Sequence, residues 1–135
     1  MTSRARTWIA RLLVTAVFAM NVTCALQFIV DPATYVHAYE LEGPGALAAI
    51  QGMGIVFLMW NATYPPVIAR PNDYRVLFAV VLAQQVIGLV GETSLLLVLA
   101  GTGDLHASIL RFIVYDAIGL VALVAAFLMS RKDRS

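Results

Sequence analysis

Four long apolar runs alternate with short polar connections along the chain, and the runs carry a helical rather than a strand-like pattern. The first covers residues 8–30 and is closed by Asp31-Pro32. The second covers 45–64 and meets Pro65-Pro66, where the backbone loses two donors in succession. The third covers 76–100 and ends in the turn Gly101-Thr102-Gly103. The fourth covers 108–129 and is followed by Arg131, Lys132, Asp133 and Arg134. A hydrocarbon core about 30 Å thick takes about 20 helical residues to cross, so each run is long enough. Backbone groups in lipid must satisfy one another, and four spans cannot close a barrel. The pattern therefore predicts an all-α integral membrane four-helix bundle, forming one domain over residues 1–135.

Composition agrees, with 61% apolar residues and a mean hydropathy of +0.83, against about half apolar in soluble proteins. Charged residues make up 13%, and the net charge of +1 conceals a strong asymmetry. If the spans alternate, Arg4, Arg6, Arg70, Arg75, Arg131, Lys132 and Arg134 fall on one side, while the connections 31–44 and 101–106 hold no Lys or Arg. The positive-inside rule then predicts a multi-pass cell-membrane protein with both termini cytoplasmic. The outer face is acidic, carrying Asp31, Glu40, Glu42 and Asp104 beside His37 and His106. Trp8, Trp60, Tyr64 and Tyr74 are placed for an inner aromatic belt. The few basic residues form no patch for nucleic acid. A run of 23 residues at 8–30 exceeds the roughly 7–15 residues of a signal-peptide core and shows no small-residue cleavage site, so a retained helix is expected.

The polar residues inside the runs carry the functional information. A carboxylate in hydrocarbon costs several kcal/mol unless it is paired, hydrated or protonated, and is a functional-site hypothesis by default. At 1.5 Å per residue, Gln84 and Gln85 lie near mid-membrane and Glu92 in the outer third. Gln85, Gly88 and Glu92 share one helix face. Arg111 on the fourth helix falls near the depth of Glu92, with Asp116 deeper, so an Arg forked onto a carboxylate is expected. Gln27 on the first helix, Gln51 on the second and Tyr115 on the fourth complete an outward-facing ligand-binding pocket of Gln27, Gln51, Gln85, Glu92, Arg111, Tyr115 and Asp116. Asn21, Asn61 and Gln84 are read as interhelical hydrogen bonding. The pairs Ala48 with Gly52, Gly88 with Gly91, and Gly119 with Ala122 and Ala126 supply small packing surfaces.

Other chemistry is thinly represented. The single Cys24 forms no disulfide within the chain and no CxxC pair. His37 and His106 lack ligand spacing, so no metal site is assigned. Asn21-Val-Thr and Asn61-Ala-Thr match the glycosylation pattern but lie within the spans. No catalytic triad or phosphate loop is present, and no catalytic residue is assigned. The connection 31–44 interleaves Tyr35, Val36, Tyr39 and Leu41 with His37, Glu40 and Glu42, which fits a short amphipathic lid helix. An ordinary surface loop is the simpler reading.

The helix ending at Asp31-Pro32, the glycine-containing second helix after Ala46-Leu47, the prolines and arginines before the third helix, its polar stripe through Gly88 and the acidic Asp116 together resemble the small DoxX-like and BphX-like membrane proteins. The resemblance implies an auxiliary subunit of a quinone-linked oxidoreductase. The residues themselves support first a protein that binds a small or lipidic ligand or a partner subunit without catalysis. The alternatives are the oxidoreductase accessory, with quinone as cofactor, and a minimal proton-coupled transporter using Glu92, working as a homo-oligomer.

Overall fold

The computed structural model describes residues 1–99 and 101–130, and every regular element among them is helical. In chain order these are α1 Ser3–Val30, α2 Pro32–Ala38, α3 Pro44–Asn61, α4 Tyr64–Ala69, α5 Arg75–Val98 and α6 Asp104–Met129. Four units are long and apolar enough to cross a membrane: α1, α3 with α4, α5 and α6. Val30, Val76 and Val98 are each at least 80% exposed, which in water would be a liability and in lipid is the expected surface. The expected ends at Ala100 and at Arg131, Lys132 and Arg134 lie outside the described residues.

Helix ends follow local chemistry. Thr2 Oγ1 accepts from the Ala5 amide at 3.2 Å and starts α1 five residues before its apolar run. Gly103, at φ +120°, precedes α6, which begins at Asp104 with an acidic side chain in its first turn. The second span departs from expectation. The chain does not stop at Pro65-Pro66; α3 ends at Asn61 and α4 restarts at Tyr64 with the prolines in its first turn, where the missing amides have no partner to lose.

Two clamps define opposite ends of the molecule. At the terminal end, Asn72 Nδ2 donates to Thr7 Oγ1 at 3.1 Å. Arg75 Nη1 donates to Phe127 O and Ser130 Oγ, both at 2.8 Å, with the guanidinium 3.7 Å from the Phe127 ring centroid. A cation thus sits on a carbonyl in the last turn of α6. At the other end, α2 is fastened to the bundle. Ser108 Oγ donates to Ala38 O at 2.6 Å, and Tyr35 Oη donates to Gln27 Oε1 at 2.9 Å.

The connection 31–44 therefore contains a packed helix, α2, followed by a turn, rather than being a loop throughout. Val36 is buried with Phe28, Ala46 and Ile50, and Tyr35 lies 4.4 Å from Phe28, centroid to centroid. After Ala38 the chain reverses by the paired bonds Leu41 N to Val36 O at 2.9 Å and Glu40 N to His37 O at 3.0 Å. That turn holds Glu40 in the left-handed region at φ +54°, a position usually taken by glycine.

α1 is the centre of the packing, against α3, α4 and α6, while α5 packs on α6 and α4. The core forms two clusters. One lies toward the terminal end around Ala10, Val14, Val17, Tyr64, Phe78 and Leu123; the other is the Phe28 cluster under α2. Of the four glycines expected at close contacts, Gly88 and Gly119 have tight neighbours, and Gly54 adds one that was not expected. A Cβ at Gly54 would stand 2.7 Å from Ala25 O, whereas Gly52 and Gly91 have open space around them. Tyr64, expected in a boundary belt, is fully buried and stacked 5.8 Å from Phe18. Trp8 and Tyr74 are exposed.

Candidate functional site

Between the two core clusters lies a cavity of about 460 Å³. This is within the roughly 300–1,000 Å³ of typical small-molecule sites. Its walls come from α1, α2, α3, α5 and α6. Six of the seven residues expected at a pocket line it: Gln27, Gln85, Glu92, Arg111, Tyr115 and Asp116. The seventh does not. Gln51 Nε2 donates to Ile29 O at 3.2 Å and so satisfies one of the orphan carbonyls in the last turn of α1. The tight α1–α3 contact at Gly54 fixes the rotation of α3 that takes Gln51 away from the cavity.

Exposure sorts the lining residues by depth. Thr23 and Gln27 on α1 and Arg111 and Tyr115 on α6 are exposed, so they form a mouth on the side of the helices, beneath Tyr35 of α2. Gln85 and Asn61 are buried and form the deep wall. Glu92, Asp116, Cys24, Phe57, Trp60 and Phe112 lie between.

The polar wall is built from α5 and α6 with glycine between them. Gln85 Nε2 donates to Asp116 Oδ1 and to Asp116 O, both at 3.1 Å. Gly119 leaves room for that amide, since a Cβ there would come 2.9 Å from Gln85 Nε2. Gly88 leaves room for the acid, since a Cβ there would meet Asp116 Oδ2 at 2.9 Å and Trp60 at 3.4 Å. Asp116 is thus oriented by Gln85 and two glycines rather than by Arg111.

The expected ion pair is not formed. Among the described residues Glu92 makes no hydrogen bond or salt bridge, and its Oε2 is buried with no partner. Arg111 likewise takes no carboxylate within bonding distance among the described residues. Both groups face the same cavity and leave each other alone, because Arg111 sits at the mouth and Glu92 further in.

A second polar group ties α1 to α3 and α4. Asn21 Nδ2 donates to Asn61 Oδ1 at 3.1 Å and to Tyr64 Oη at 3.4 Å, and Asn61 Nδ2 donates to Phe57 O at 2.8 Å. Gln84 Oε1 accepts from Thr63 Oγ1 at 3.1 Å. These are the interhelical bonds expected of Asn21, Asn61 and Gln84, with Asn21 and Asn61 also facing the cavity.

Sequence reasoning missed the aromatic half of the lining. Trp60 was expected at the membrane boundary, and Phe57 and Phe112 carry no sequence signal beyond being apolar. Tyr39, just after α2, has its ring 6.3 Å from Phe112, centroid to centroid; burial first, and the nearby Glu92 carboxylate second, push its hydroxyl well above the usual tyrosine range. Burial also raises Tyr35. Among the described residues no group of three or more His, Cys, Asp or Glu side chains is placed to hold a metal ion.

No family model, curated protein or solved structure matches the chain. The likeness to the DoxX-like and BphX-like group rests on the sequence pattern alone, and the site is read from its own chemistry.

Proposed function

We propose that this is a four-span membrane protein with both termini cytoplasmic that binds a small or lipidic ligand in the cavity between its helices, without transforming it. The observation that carries this reading is the buried, unpartnered Glu92 Oε2 in the wall of a ligand-sized cavity. A buried polar atom without a partner costs about 1–3 kcal/mol, more when charged, and a bound donor removes that cost. Orientation is supported by Arg4, Arg6, Arg70 and Arg75 at the terminal end and by Asp31, Glu40, Glu42 and Asp104 at the α2 end. The α2 helix then roofs the cavity on the outer side.

Cys24, the single cysteine, provides the test because it lines the cavity. Removing bound lipid and small molecules by detergent exchange is expected to speed alkylation of Cys24 by a small maleimide, and adding back a membrane lipid extract to slow it. An alkylation rate indifferent to both treatments contradicts the reading.

A second reading is favoured by the same absence of an ion pair. A carboxylate held permanently by Arg111 is a poor proton carrier, and Glu92 is not so held. As a minimal proton-coupled transporter the protein would lose flux in proteoliposomes on Glu92→Gln; a wild type with no flux for any co-purifying compound removes this alternative.

A further inference from the structure

We infer that the cavity takes a zwitterionic headgroup, an ammonium seated between Glu92 and Asp116 with a phosphate or carboxylate of the same molecule held by Arg111 at the mouth. This rests on the binding reading above and names the ligand class. The interior is acidic and aromatic: Glu92 and Asp116 bring two carboxyl groups, and Phe57, Trp60 and Phe112 line the same cavity. Carboxylates with aromatic faces are the surroundings that recognise an ammonium. Asp116 is engaged through Oδ1, but among the described residues its Oδ2 is not, and the buried Glu92 Oε2 has no partner there. Arg111 breaks the pattern by bringing a cation to the same cavity. A purely cationic ligand would have to pass it, and a purely anionic one would leave the two acids unanswered.

A molecule with both charges a few atoms apart satisfies both ends at once. Depth orders them, since Arg111 is exposed at the mouth and the acids lie further in. The guanidinium fork matches a phosphate or carboxylate bidentately. Because the mouth lies on the flank of the bundle between Thr23 and Gln27 on α1 and Arg111 and Tyr115 on α6, acyl chains attached beyond the phosphate would leave the cavity sideways. A lipid headgroup fits that exit; a free amine phosphate would use the same contacts.

The test is competition on the full chain in nanodiscs, read by native mass spectrometry. The probes are phosphatidylethanolamine, phosphatidylglycerol, a cationic diacyl trimethylammonium lipid and water-soluble phosphoethanolamine. Wild-type protein is expected to retain phosphatidylethanolamine about tenfold over each singly charged lipid, the scale of one charged hydrogen bond. Glu92→Gln should erase the preference over phosphatidylglycerol, and Arg111→Gln the preference over the cationic lipid. If phosphoethanolamine competes as well as the lipid, the same zwitterion is recognised as a free solute. Equal retention of all three lipids overturns the zwitterion and leaves the binding reading standing. Retention of nothing overturns both. The wild-type comparison needs no variant, so a variant that fails to fold does not rescue the inference.

Discussion

At the scale of single residues, the site depends on which groups are denied a partner. Gln85 fixes Asp116, and Gly88 and Gly119 allow it, while Glu92 is left open. Gly88→Ala is expected to push Asp116 or Trp60 aside and to destabilise by about 1–3 kcal/mol, as overpacking does. Gly91→Ala, inside α5 with open space around it, is expected to cost nothing and to gain up to about 1 kcal/mol. Thermal unfolding of both variants in one detergent checks the difference, and equal losses would show that Gly88 is not the tight contact. A double-mutant cycle on Glu92 and Arg111 is expected to give a coupling below about 0.3 kcal/mol, the level of independent sites. A coupling above 1 kcal/mol, on the order of a contacting pair, would restore the direct salt bridge. That Glu92, Arg111 and Asp116 would line one cavity was legible because a helix advances at a fixed rise and period. Their pairing was not, since it depends on how α5 and α6 are rotated about their axes, which packing at Gly88 and Gly119 decides. Gln51 failed for the same reason.

At the scale of elements, α2 is the least legible part and the most informative. Seven residues are too few to hold a helix alone, so its existence depends on tertiary contacts that no local pattern reports. Phe28, Ile50 and Phe112 supply them beneath, and Glu40 reinforces them by accepting weakly from the Leu105 amide at 3.4 Å. Glu40 carries out that role from a left-handed conformation that costs a non-glycine residue about 1–2 kcal/mol. Glu40→Ala keeps the strain and loses the carboxylate, whereas Glu40→Gly loses both. The glycine variant is therefore expected to be the more stable of the two by about 1 kcal/mol, and the alanine variant to exchange α2 amides faster than wild type. Hydrogen exchange on the segment 32–38 measures this, and unchanged protection would show that α2 is held without Glu40. The break at residues 62–63 was half legible. Pro65-Pro66 marked a discontinuity, but prolines suit a helix start as well as a stop, and the burial of Tyr64 selected the start.

At the scale of the molecule, four membrane-length helices were legible throughout, because hydrocarbon imposes length and apolarity on each span directly. Orientation is the proposal to test here. In a Cys24→Ser background, His37→Cys on exposed α2 is expected to react with an impermeant maleimide added to intact cells, and Asp73→Cys at the terminal end is not. The reverse pattern would invert the topology and place the roof of the cavity in the cytoplasm. The cavity itself is what the two core clusters leave unfilled, and its occupancy is the central claim. The most direct measurement is mass spectrometry of what stays bound through purification, wild type beside Glu92→Gln. The account predicts one discrete species at a fixed ratio to the wild-type protein, lost or strongly reduced in the variant. A wild type carrying only the lipids of the bulk membrane, in the same proportions as the variant, would contradict it.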